Sequence, residues 1–219
     1  MKRVLIFAVA ALSSAPLAAQ RTDVAAQLNG RVPAGVIQAA QVLADSAVLA
    51  GVPVSPLVQK ALEGAAKNIP ADRVIAALQT LFSREVTALG ALRQGGVTSP
   101  DAAGVEGASF AMGAGLSASD VTTIARAGGT VYAASTTMRV AGTLAAVGVP
   151  AAGTVRLVSA ALAAGVAPGD LGTFPGSVES AVARGMTPAQ AAEGLARATQ
   201  ARNGVPPGQG RPGPRPKGS

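Results

Sequence analysis

Residues 139–156 read RVAGTLAAVGVPAAGTVR. Between Arg139 and Arg156 the 16 residues from Val140 to Val155 carry no charge, the longest such run in residues 21–201. A helix that spans a bilayer needs roughly 20 apolar residues. This run is shorter, and Gly148-Val149-Pro150 breaks it in the middle. The stretch therefore reads as two buried helices joined by a tight turn. Glycine accepts the left-handed conformation that ends a helix, the apolar residue after it folds back on the last turn, and proline pre-sets the start of the next helix.

The same punctuation recurs outward in both directions. It is found at Gly51-Val52-Pro53, Asn68-Ile69-Pro70, Gly96-Val97-Thr98, Gly115-Leu116-Ser117, Gly165-Val166-Ala167-Pro168 and Gly185-Met186-Thr187. Three of the turns continue as capping boxes: Thr98 with Asp101, Ser117 with Asp120, and Thr187 with Gln190. At that spacing each side chain satisfies an orphan backbone N–H beside the other. The steps between turns range from 17 to 33 residues, too irregular for a solenoid of fixed period. The longest step contains Gly128-Gly129, which divides it into two helices, and Phe174-Pro175-Gly176 interrupts the stretch after Pro168. Runs of strand type are scarce; Thr130-Val131-Tyr132 is the best and is too short to weigh.

The longest clean helix is expected from about Pro70 to Arg93. Val74, Ile75, Leu78, Leu81, Phe82, Val86, Leu89 and Leu92 share one side at three- and four-residue spacing. Ser55 reads as the cap before Pro56. The fold class is all-α, a compact bundle of about 8–10 short helices joined by Gly/Pro turns.

Composition fits that architecture. Hydrophobic residues make up 49% of the 219 and aromatics only 2%, with no Trp. The core is then Ala, Val and Leu at close range, without the large-area burial that rings provide. Cys and His are both absent, which removes disulfides, thiolate ligands, the commonest metal ligand and the commonest general base.

The ends read differently from the middle. Lys2 and Arg3 precede an apolar run from Val4 to Leu12, and small residues follow up to Gln20. This is the layout of a secretory signal peptide, residues 1–20, with cleavage between Ala18 and Arg21. Without Cys there is no lipoprotein anchor. The helical domain covers 21–201. From 202 to 219 Pro and Gly dominate and apolar residues nearly vanish, so a flexible, disordered tail is expected. Its Arg202, Arg211, Arg215 and Lys217 face no acid in the same segment. Removing the two bases of the leader and the four of the tail from the 18 leaves 12 against 11 acids, a net charge of +1. A nucleic-acid footprint on the domain is not supported.

Chemistry is hard to find. A Ser–Lys pair lacks the Ser-x-x-Lys spacing, since Ser55 and Lys60 lie five apart. Paired carboxylates for glycoside hydrolysis would have to come from Glu63, Asp72 and Glu85. Lys60, Glu63 and Lys67 instead describe a solvated helix face with an ion pair. Asp72 suits the first turn of its helix, and Glu85 with Arg84 marks the polar side of the long helix. No EF-hand or phosphate-cradling loop is present, and Gly113-Ala114-Gly115 and Gly128-Gly129 read as helix ends. The hydroxyl of Tyr132 is expected to find Thr136 or Thr137. The reading assigns no catalytic, cofactor-binding or metal residues, and no cofactor.

The segment from Gly51-Val52-Pro53 through Leu57, Lys60-Ala61-Leu62-Glu63-Gly64 and Lys67 to Ile69-Pro70 and Leu78 resembles a stretch found in exported bacterial proteins of unassigned function. The likeness covers 51–78 and implies no reaction, cofactor or partner. The function expected from all this is that of a non-catalytic, periplasmic or extracellular helical protein of the bacterial cell envelope, a structural or binding module. Its partner would be another envelope protein or an anionic envelope surface met by the basic tail. A membrane-associated protein held by an apolar groove or by that tail is the alternative, and a hydrolase with paired carboxylates is the third reading.

Overall fold

In the computed structural model, which describes residues 23–203, all seven turn positions have positive φ, from 52° at Asn68 to 114° at Gly115. At each, the apolar residue that follows donates its backbone N–H five residues back. Val52 bonds Ala47 O at 3.0 Å, Ile69 bonds Gly64 O at 2.9 Å and Val149 bonds Leu144 O at 3.0 Å. Leu116, Val166 and Met186 do the same to Ala111, Ala161 and Ala181. These are Schellman closures, and they satisfy carbonyls that a helix end leaves without partners. Gly30 and Gly129 also have positive φ, 69° and 54°.

Between the turns run eleven helices and, among the described residues, no strand. They are α1 (Val24–Leu28), α2 (Ala34–Ala50), α3 (Ser55–Ala66), α4 (Ala71–Gln94), α5 (Ala102–Gly113), α6 (Ala118–Gly128), α7 (Ala134–Ala146), α8 (Ala151–Ala163), α9 (Pro168–Leu171), α10 (Phe174–Ala183) and α11 (Pro188–Asn203). Gly148 separates α7 from α8, as the opening stretch requires. No helix among the described residues is long and apolar enough to cross a membrane.

Two helices organise the bundle. The long α4 packs on α2, α3, α5 and α6, and α8 packs on α6, α7 and α11. Alanine outnumbers both leucine and valine among the buried apolar residues, and no aromatic ring is fully buried among the described residues. Small residues let backbones approach where rings would hold them apart. At the α5–α7 seam, a Cβ on Gly107 would lie 3.3 Å from Met138 Cβ, and Gly142 is closer still to Phe110.

The caps follow the sequence with two corrections. Ser117 and Asp120 form the expected reciprocal box, with N–H to oxygen distances of 2.8 and 3.2 Å. Thr187 and Gln190 do likewise at 3.0 and 3.2 Å. Thr98, by contrast, caps nothing. Asp101 is itself the N-cap of α5, accepting from Gly104 N–H at 2.8 Å. The reason is Pro100: a proline disfavours helical backbone at the residue before it, so the helix starts after it. Ser55 is not a cap either. Val54 holds the cap position of α3 and Ser55 is already helical.

Two boundaries also move. Phe174-Pro175 begins α10 rather than interrupting a helix, and the break falls at Gly172-Thr173. Arg202 and Asn203 belong to α11, so the expected tail begins two residues later than its composition suggested. The expected signal peptide of residues 1–20 and the remainder of the tail lie outside the described residues.

Candidate functional site

The junction of α3, α4 and α5 gathers the most polar chemistry. Position 85 lies seven residues after Leu78, four after Leu81, four before Leu89 and seven before Leu92. On a helix that is the core stripe. Glu85 therefore points inward, with 0% of its surface exposed, while its neighbour Val86 is 39% exposed. This reverses the expectation that Glu85 marks the polar side and Val86 the apolar one. Neither Glu85 carboxyl oxygen has a hydrogen-bond partner among the described residues.

The surroundings are polar but do not reach it. Arg84, half-buried on the same helix, donates from Nε to Ser109 Oγ of α5 at 3.2 Å. Its guanidinium occupies the room left by Gly113, where a Cβ would stand 3.0 Å from Nη1. Glu106, one turn before Ser109 on α5, accepts from the Ser55 hydroxyl of α3 at 3.1 Å. Burial pushes the Glu85 carboxyl up to about 7. The Glu106 carboxylate adds to the push and the Arg84 guanidinium opposes it.

The other sequence candidates go elsewhere. Glu63 receives Lys60 and, at 2.6 Å, Lys67. The hydrogen bond from Lys60, then that from Lys67, holds its carboxyl down at about 2. Asp72 is exposed in the first turn of α4. At 1.5 Å rise per residue it stands about 20 Å along the helix from Glu85, too far to act with it on one bond. Ser55 is bonded to Glu106 and Lys60 to Glu63, so these two do not form a couple. The Tyr132 hydroxyl donates to Val166 O at 3.0 Å rather than to Thr136 or Thr137. Thr137 turns back onto the carbonyl of Ala134 on its own helix.

No group of three or more Asp or Glu residues that could hold a metal ion occurs among the described residues. Four surface hollows are notable. The largest, about 690 Å³, runs between α10 and α11 past Ser177, Ser180, Arg184, Met186, Gly194 and Leu195. One of about 420 Å³ lies beside Glu106, Phe110 and Arg139, and one of about 360 Å³ lies beside Asp101 and Tyr132. The smallest, about 160 Å³, has Arg156 and Glu193 on its rim. None of the four is lined by two carboxylates, and Glu85 opens into none of them. Comparison with protein-family models, with curated proteins and with solved structures finds no match.

Proposed function

We propose that this chain is an exported, non-catalytic helical protein of the bacterial cell envelope, and that it works by binding another envelope protein. The observation that carries the binding role is the outer side of α2. Leu49 is 90% exposed there, with Val48 at 61% and Val42 at 60%. Val42 and Leu49 are seven residues apart and share one face. A single exposed leucine needs no explanation, but neighbouring apolar side chains on one helix are what a contact surface requires. Export rests on the leader-like residues 1–20, and the resemblance of residues 51–78 to exported proteins points the same way.

The test uses the mature protein as bait in envelope extract, beside the double variant Val42→Glu and Leu49→Glu. A partner captured by the first and lost by the second, with equal thermal midpoints, supports the reading. Capture that is unchanged by the substitutions removes α2 from it. Binding of the unsubstituted protein to protein-free lipid vesicles would replace it with membrane association. Intact-mass analysis of the native protein tests export separately. Trimming between Ala18 and Arg21 is expected, and a full-length cytoplasmic product overturns it.

A further inference from the structure

The deliberate placement of an acid at a core position of α4 has no counterpart elsewhere in the described fold: Glu85 is the only charged residue among the buried ones. A carboxyl without partners is tolerated inside a protein when it is neutral, and far less so when it is charged. At the seam only the Arg84 guanidinium favours the charged form, and it makes no hydrogen bond to either Glu85 oxygen. Arg84 is committed to Ser109, and the opposite helix offers a second carboxylate, Glu106. The remaining helices packed on α4 supply no remedy. The charges of α2 (Asp45), α3 (Lys60, Glu63) and α6 (Asp120, Arg126) do not act on Glu85.

We propose that the α4–α5 seam is a proton-operated latch, closed over a neutral Glu85 and released when Glu85 loses its proton. On release the carboxylate leaves the core for the half-exposed guanidinium of Arg84, and α5 loosens from α4. The seam is suited to this because Arg84 sits at its rim, one residue from Glu85. Like-charge repulsion from Glu106 sets the pH of release upward, and Ser55 holds that carboxylate in position.

Two measurements on the full chain test the latch. Carboxyl carbon NMR follows Glu85 directly. Its midpoint is expected near neutrality, and lower in Glu106→Gln. Hydrogen exchange, corrected for the intrinsic pH effect, follows the seam. Amides of α4 and α5 should lose roughly 30-fold in protection between pH 5.5 and pH 8.5, a fraction of the tenfold per unit that the shift permits. Amides of α8 and α11 should lose much less, and Glu85→Gln should abolish the difference. A Glu85 midpoint in the ordinary carboxylate range overturns the proposal. So does a loss of protection spread evenly over all helices, or the same pH dependence in Glu85→Gln. Should Glu85→Gln fail to fold, Glu85→Met serves as the uncharged control, and the wild-type carboxyl titration decides by itself.

Discussion

Gly142 of α7 lies directly beneath the Phe110 ring of α5, where an added Cβ would stand 2.7 Å from Cε1 and 3.0 Å from the Cα of Ala111. Real side chains do not tolerate such distances, so the two helices meet through the hydrogen of a glycine. Gly142→Ala is expected to destabilise the domain by about 1–3 kcal/mol, the usual cost of overpacking. Gly90, inside α4, has nothing within 4 Å of its missing Cβ. There the better helix propensity of alanine should stabilise by about 0.5–1 kcal/mol. Urea unfolding followed by circular dichroism of both variants checks the pair. Equal signs would refute the close approach.

The start of α5 gives a second comparison. Asp101→Ala removes the bond to Gly104 N–H and should cost about 1 kcal/mol. Thr98→Ala, at an exposed bend with no cap to lose, should stay within about 0.5 kcal/mol of the parent. A larger loss at Thr98 than at Asp101 would restore the capping box that the sequence suggested.

Stability should fall as pH rises through the neutral range. In the unfolded chain Glu85 ionises near 4.5, while in the fold its carboxyl is pushed up to about 7. Its contribution is therefore fully present below 4.5 and is lost between there and about 7. The loss is at most about 3 kcal/mol, and less where release of the seam lets the charge reach water. Glu63 works in the opposite direction. Its depressed value favours the fold above 4.5, and that small benefit disappears as pH falls towards 2. The unfolding midpoint in urea, measured from pH 4.5 to pH 8, should drop in the parent and stay nearly level in Glu85→Gln.

The tail yields a prediction from composition. Deleting residues 204–219 removes Arg211, Arg215 and Lys217 and no acid. Each base near an anionic surface contributes up to about 1 kcal/mol, which gives only weak binding that salt abolishes. The thermal midpoint should not change, and salt-sensitive binding to anionic vesicles should vanish. A clear fall in the midpoint would show that the segment packs on the helices.

Most of the helix order was legible because a helix end leaves a local trace. Gly or Asn, then an apolar residue, then a starter residue is a pattern contained in three or four positions, and all seven instances form turns of positive φ with the expected bond. What was not legible depended on contacts across the sequence. Tyr132, in the turn before α7, finds the carbonyl of Val166 in the turn after α8, and Ser55 of α3 finds Glu106 on α5. No local rule anticipates either. Glu85 is a different case: its spacing from Leu78, Leu81, Leu89 and Leu92 was visible, and only the assumption that an acid belongs outside concealed its place. Thr98 misled because Pro100 outweighed an otherwise suitable capping spacing.

The small residues of the interior also shape how this sequence can drift. Truncating a buried leucine leaves a cavity and costs about 2–5 kcal/mol, whereas trimming an alanine in a helix to glycine costs about 1 kcal/mol or less. An interior in which alanine is the commonest member therefore has little volume to lose at many of its sites. Enlargement is the hazardous direction at seams such as Gly107–Met138 and Gly142–Phe110. Neutral change should accordingly be one-sided, with exchanges among Ala, Gly and Ser passing freely and gains of a branched or aromatic group purged. Descendants of this chain would then diverge in sequence while conserving bulk, and would keep their likeness in the rhythm of turns longer than in residue identity.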